Sequence, residues 1–358
     1  MMTAPAEIVA RRLLKQAEWC EKLGSPLYST LLCQAAEDVR AAGVCYAVLH
    51  DHYDDPPDSA LALRFLGAVH RLVLQKQAPR LAACYPSVGG DSGCDELWPA
   101  FHSAVREHAA LLRELVDRPV QTNEVGRCAA LLGGFLEVVR STGLPMRLLE
   151  VGAAGGLILR WDQYRYEANA ESWGDPDSPV YIGGAFGDVH PPFNIPVKIA
   201  VRRGCDASPI DPCTEEGQLT LQSYVWPDQL MRFRQLAAAI EVARRVPAEV
   251  DQANAVDWVE ASLANGVSGV ATVVYHSIVW QYFSDEDRAR FKRVMAAAGQ
   301  AATPDHPLAW LRLEPGDNLA EVHLQLWPGA EDRLLARSGF HGKPVQWLGC
   351  RKLTKGNG

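Results

Sequence analysis

The stretch with the clearest chemical potential is Leu148-Leu149-Glu150-Val151-Gly152-Ala153-Ala154-Gly155-Gly156-Leu157. A buried strand that turns sharply into a helix leaves backbone N–H groups facing outward, and residues without bulk let a ligand approach them. A dinucleotide site wants G-x-G-x-x-G. From Gly152 the chain gives Ala154 and then Leu157 in the third place, awkward where helix and strand pack closely. A second pattern, an acidic residue followed by small residues at alternate positions, is met by Glu150, Gly152, Ala154 and Gly156, with Ala153 between them. The other group suited to chemistry is His276, the candidate acid–base because histidine is the residue type suited to proton transfer at neutral pH, with Tyr282 a few residues beyond. Gln121-Thr122-Asn123-Glu124 reads equally as a helix cap and as a polar wall in which Asn123, Glu124 and Arg127 face a substrate. The cluster His50-Asp51-His52-Tyr53-Asp54-Asp55 lacks a distant third ligand at a recognisable spacing. It reads as a solvated helix end, and no metal is expected.

These residues need elements to position them. Up to about Leu144 the apolar spacing is helical. Ser25-Pro26 supplies a cap and first residue for a helix that ends at Gly43, and a second helix is expected from Ser59. Trp98, Phe101, Val105, Leu112 and Leu115 outline a third, and Thr122 caps a fourth. From Met146 strands and helices alternate, which predicts a mostly parallel twisted sheet. The expected strands are 146–151, 197–201, 249–252, 269–275, 308–313, 321–326 and 345–348, the last three antiparallel at the edge. Helices are expected at 157–166, from Pro227 through Val246, and from the Ser284 cap to Ala298. Residues 168–196, rich in Gly, Pro and Asp, read as an insertion. The organisation is therefore an all-helical domain at 1–144 and an α/β domain at 145–358.

The α/β half resembles the class I S-adenosylmethionine-dependent methyltransferase superfamily, with a Rossmann-like sheet. The whole chain resembles a bacterial family of unknown function that carries such a domain behind a helical region. The stretches that carry the second resemblance are Ser25-Pro26-Leu27-Tyr28, Gln121 to Arg127, the glycine loop, Arg160-Trp161-Asp162-Gln163-Tyr164, Arg203-Gly204-Cys205-Asp206 and His276 to Tyr282. The superfamily implies S-adenosylmethionine as cofactor, held by Glu150, Gly152, Ala153, Ala154 and Gly156. It implies ribose contact at Asp206, adenine contact at Asn254-Ala255 and a cofactor-side position for Tyr275. Asn254 stands where an Asp is more usual, and Asp206 lies far beyond the glycine loop because of the insertion. The short 314–320 connection leaves no room for the usual helix after the fifth strand. Asp162 joins Asn123, Glu124 and Arg127 as a substrate-pocket expectation.

The totals narrow the partners. A net charge of −8 argues against general nucleic-acid binding, and no run approaches the ~20 apolar residues of a membrane helix. Nine cysteines without a C-x-x-C pair read as reduced thiols in a cytoplasmic protein. The expected activity is methyl transfer to a small molecule. A ligand-binding protein of the same fold without catalysis is the alternative, and an NAD(P)-dependent oxidoreductase a third.

Overall fold

The computed structural model describes residues 4–56 and 59–349, so the end of the expected second domain, 350–358, lies outside the described residues. Two compact units divide the chain. One comprises residues up to Thr122 together with Thr214–Arg234, and the other Asn123–Cys213 together with the residues from Gln235 onward. The boundary expected after residue 144 is thus corrected. The helix Arg127–Thr142 belongs with the sheet, because its Phe135 ring meets Tyr275 edge-on at 5.0 Å and stacks on Trp161 at 4.3 Å. Among the described residues no helix is long and apolar enough to cross a membrane.

The first unit is built from helices, chiefly Ala4–Lys22, Pro26–Arg40, Val44–Leu49, Leu61–Leu74, Leu97–Glu107, Ala109–Val116 and Glu215–Ser223. Ser25 caps as expected, its side chain accepting from the Tyr28 amide, with Pro26 in the first turn. The left-handed residue that ends this helix is Ala42 (φ 54°), one position before the expected Gly43. The second helix starts at Leu61 rather than Ser59, and the third pattern splits in two at His108. Leu61–Leu74 is buried on nearly every side, including Arg64. A buried guanidinium needs partners. Arg64 donates to the Val116 carbonyl at 2.6 Å and to Asp55 at 2.6 Å, and its Nη2 lies 3.2 Å from His52. His52 and Asp55, expected at a solvated helix end, instead hold that cation.

His70, on the same helix, is the satisfied core histidine that its apolar surroundings suggest. Its Nδ1 lies 3.1 Å from the Ser223 carbonyl and its Nε2 2.8 Å from Ser87 Oγ. Burial lowers its pKa to about 4, against two backbone hydrogen bonds that act to raise it. Cys84 and Cys94, expected as free thiols, are paired in a disulfide across the loop that carries Ser87.

The second unit holds an eight-stranded sheet and a small three-stranded one. The strands are β1 (Met146–Val151), β2 (Arg165–Ala168), β3 (Glu171–Trp173), β4 (Tyr181–Ile182), β5 (Ile199–Asp206), β6 (Glu249–Gln252), β7 (Ala271–Ser277), β8 (Leu308–Pro315), β9 (Ala320–Trp327), β10 (Asp332–Ser338) and β11 (Val345–Trp347). The large sheet runs β11-β10-β9-β8-β7-β1-β5-β6. Strands β6, β5, β1, β7 and β8 are parallel, so the run 308–313, expected among the antiparallel edge strands, instead joins the parallel set. The antiparallel edge predicted from the short connections is β9, β10 and β11. Within the large sheet, strand β10 was not among the expected strands. The 168–196 insertion is the small sheet β3-β2-β4, and β2 takes the last residues of the expected 157–166 helix. The helix expected from Pro227 begins at Leu230. The helix expected from Thr122 begins at Arg127, leaving Gln121–Glu124 outside any helix or strand.

Alternation along the strands gives the large sheet two buried faces. Leu149, Val151, Cys205 and Val274 pack with Phe291, Met295 and Trp258 of the helices Asp285–Ala301 and Ala255–Leu263. Glu150 and Tyr275 point to the other face, towards Phe135.

Two outcomes follow from this packing. A Cβ on Gly204 would lie 2.7 Å from that of Ala153 and 3.1 Å from the Glu150 carbonyl, neither of which can give way. Gly204→Val should lower unfolding free energy by about 1–3 kcal/mol in urea titration. The lowered pKa of His70 makes the first unit acid-sensitive. The unfolded chain binds a proton below its ordinary pKa while the folded one does not until about 4, so the His70 contribution is complete above pH 6.5 and is lost as pH falls towards 4. Urea midpoints from pH 7.5 to 4.5 should fall accordingly, and less steeply in His70→Gln.

Candidate functional site

Parallel register sets the carboxyl ends of β1, β5, β6 and β7 side by side. Val151 faces Cys205 on one side and His276 on the other, and Asp206 faces Gln252. The chain passes from β1 to β5 in one direction and returns to β7 in the other, so the crevice outside β1 and β7 is a topological switch point, where open α/β sheets bind ligands.

The glycine loop leaves β1 at this edge. Its backbone is left-handed at Gly152 (φ 70°), Ala154 (φ 48°) and Gly156 (φ 64°), which accounts for the small residue at every second position. Ala154 keeps a Cβ there at a cost of roughly 1–2 kcal/mol. The Gly152 and Ala153 amides donate to the Cys205 carbonyl at 2.9 and 3.0 Å, and the Ala154 amide donates to Asp206 Oδ2 at 2.9 Å. The Gly156 amide donates to the Ala153 carbonyl at 2.7 Å, and the Leu157 amide to Asn123 Oδ1 at 2.8 Å. The expectation of outward amides at a helix start is therefore corrected. Residues Ile158–Gln163 form a 3-10 segment, and these five amides close on the protein itself. Val279 closes over Gly152, its Cγ2 2.6 Å from where a Cβ would stand.

Asp206 is brought to the loop, half-buried, with Oδ1 accepting from the Ser208 amide at 2.9 Å. Each carboxylate oxygen has one protein donor here, and a carboxylate can accept about four in all. Asn254 is exposed at the same edge. Its Oδ1 accepts from the Val256 and Asp257 amides, capping the helix that Ala255 begins. Glu150 is buried below the loop and accepts from the Tyr275 hydroxyl at 3.1 Å. Burial raises its carboxyl pKa well above the ordinary value, outweighing the hydrogen bond from Tyr275. Glu150 and Tyr275 thus support the loop from the core and do not line its outer side.

His276 sits apart from this edge chemistry. It is 0% exposed and stacks on Trp280 at 5.3 Å. The Trp310 indole N–H donates to its Nε2 at 3.0 Å, which places the hydrogen on Nδ1, 2.6 Å from Glu314 Oε1. Glu314 also accepts from the Val279 and Trp280 amides at 3.1 and 3.2 Å. With both nitrogens committed, His276 anchors the turn after β7 in place of the expected acid–base role. Tyr282, its expected companion, is 56% exposed.

The expected substrate wall is a clasp. Asn123 holds the Leu157 amide, and Glu124 accepts from the Gly126 amide at 3.2 Å. Arg127 donates to the Ser277 carbonyl at 3.0 Å and to the Phe340 carbonyl at 3.1 Å, tying the end of β7 to the β10–β11 turn. Asp162 is corrected. It pairs with Arg202 at 2.5 and 2.6 Å, and Arg202 lies opposite Leu148, inside the sheet rather than at its edge. Sequence reasoning missed Glu314, Trp310 and Lys343. Burial lowers the Lys343 amine pKa, with Glu124 acting oppositely, and the amine donates to the Gly183 carbonyl at 2.9 Å. Nothing in their local spacing marks these three, because their partners lie on other strands and loops.

Residues 10–347 match the family described as uncharacterized protein conserved in bacteria (DUF2332), and the chain belongs to that family. No curated protein and no solved structure matches it.

His276→Phe keeps the stacking but leaves the Glu314 carboxylate and the Trp310 N–H without their shared partner. The Trp310 N–H is then buried without an acceptor while Glu314 keeps the Val279 and Trp280 amides, so chemical denaturation should show a loss of about 1–3 kcal/mol.

Proposed function

We propose that the carboxyl edge of the large sheet binds S-adenosylmethionine, and that the chain transfers its methyl group to a small molecule. One observation carries this reading: the Asp206 carboxylate rests on a loop left-handed at three alternate small residues, at the switch point of a doubly wound sheet. The five parallel strands, the antiparallel edge and the acidic residue ending β5 support this reading, being what the resemblance to class I methyltransferases implies, and the small sheet after β1 is an addition to that plan.

The residues fit such a ligand at its nucleoside end. Asp206 retains acceptor capacity for ribose hydroxyls, and the exposed Asn254 has an amide –NH2 to offer a base. At the amino-acid end, the left-handed turn at Gly152 to Gly156 removes side-chain bulk. When bound, the cofactor supplies a sulfonium-activated methyl group. The protein supplies alignment and the exclusion of water, which suffice where the acceptor is itself nucleophilic. The histidine of this edge, His276, has both ring nitrogens engaged, one by Glu314 and one by Trp310. That commitment, with the closed loop amides, favours a second reading in which the same site binds its ligand without catalysis. Leu157, fully buried in the third glycine position, weighs against a dinucleotide. The net charge of −8 suits a small acceptor better than nucleic acid.

Isothermal titration with S-adenosylmethionine and S-adenosylhomocysteine tests the reading. Binding should weaken by about 10- to 150-fold in Asp206→Ala, the equivalent of a hydrogen-bonded charge worth about 1.5–3 kcal/mol. No heat from either ligand at millimolar concentration would overturn it. Binding without methylation of any member of a small-molecule panel would select the non-catalytic reading.

A further inference from the structure

The first unit joins a serine, a histidine and a backbone carbonyl that lie far apart in the chain. Ser87 is half-exposed on the disulfide-closed loop, His70 is buried on the helix Leu61–Leu74, and the carbonyl belongs to Ser223 at the end of Glu215–Ser223. His70 Nδ1 lies 3.1 Å from that carbonyl oxygen, an acceptor that fixes the hydrogen on Nδ1. Nε2 therefore presents its lone pair to Ser87 Oγ, 2.8 Å away, and the hydroxyl donates to it. We propose that Ser87 is a reactive nucleophile with His70 as its general base, and that this dyad takes activated acyl and phosphonyl esters. It lies in the unit that the methyl-transfer reading does not use, so either can fail alone.

Nucleophile, base and orienting group stand within hydrogen-bond reach in the order this chemistry needs. The carbonyl does one part of the work of a triad carboxylate, holding the ring in the productive tautomer. It carries no full charge to stabilise an imidazolium, so the dyad is a modest base. Tyr85 and Phe233 flank the ring at 5.5 and 6.3 Å and fix its plane. The loop is held by the Cys84–Cys94 disulfide and by the Gly90 amide donating to the Tyr85 carbonyl at 3.0 Å. The Val88 and Gly89 amides are spent on the Tyr85 and Pro86 carbonyls, so this turn offers no amide from these residues to a developing oxyanion. That restricts the substrate to esters whose leaving group departs readily.

In the reaction, Ser87 Oγ attacks the ester carbonyl carbon as its proton passes to Nε2 of His70. The bond to the leaving oxygen breaks, and the departing alkoxide takes that proton. Water repeats the sequence on the acyl-serine, so ester and water give acid and alcohol. Because burial keeps His70 neutral down to about pH 4, the base is in its working form throughout the neutral range.

Labelling of the full chain with an alkyl fluorophosphonate, followed by peptide mapping, tests the proposal. Ser87 should carry the phosphonyl group in preference to the other serines, with release of fluoride. Ser87→Ala should lose this label and a burst of 4-nitrophenol from 4-nitrophenyl acetate, while keeping a cooperative thermal transition lowered by only a few degrees for the lost bond to His70. His70→Gln should slow labelling at least about tenfold. Since His70 lies in the core and its variants risk unfolding, the wild-type pH profile decides independently. A labelling rate flat from pH 6 to 9 supports His70 as the base. An unmodified Ser87 at excess probe, or a rate rising about tenfold per pH unit as hydroxide-driven attack requires, would overturn the dyad.

Discussion

The end of strand β5 holds the candidate site together. The Cys205 carbonyl receives two amides of the glycine loop, and the Asp206 side chain receives the next. Three hydrogen bonds in succession lash the exit from β1 to the tip of its neighbour and oblige the loop to alternate between left-handed and ordinary backbone. The absence of a side chain at Gly204, opposite Ala153, makes the approach possible. Asn123, Val279 and Arg127 then complete the edge around a loop that already has its shape.

Both units use one device for burying an imidazole. His70 and His276 each have one nitrogen set against an oxygen acceptor and the other against a donor, so the tautomer of each ring is decided by its partners. The difference lies in the donor. An indole N–H, as at His276, is inert, whereas a half-exposed hydroxyl, as at Ser87, is a nucleophile. The same packing requirement thus leaves one histidine purely structural and the other next to a group able to react.

Much of this was legible in the residues. The strand at Met146–Val151, the sharp turn after it, the Ser25 and Ser284 caps and the parallel order all follow from periodicity and turn chemistry, which act locally. The apparent helix from Thr122 was misread because capping residues look alike whether they cap or bind, and here Asn123 caps a loop in place of a helix. The helix expected at 157–166 failed for a related reason. Trp161 and Tyr164 are aromatic at helical spacing, yet they and Tyr166 serve an aromatic stack with Phe135 and Trp173 and hydrogen bonds to nearby carbonyls. Asp162, His52 and Asp55 were misjudged because their cationic partners, Arg202 and Arg64, approach through tertiary contact. Pairings of that kind leave no trace in spacing.

The first unit is discontinuous in sequence: Thr214–Arg234 completes it after the strands β1 to β5 have been passed. Ser25 and the Leu27 amide find their acceptor in Asp228, and His70 finds its carbonyl in Ser223. As the chain emerges from the ribosome in order, the early helices therefore wait with a buried cap and a buried imidazole unanswered while the centre of the other unit is being made. Folding of the amino-terminal half is thereby coupled in time to synthesis of the carboxyl-terminal half, although each unit has its own core.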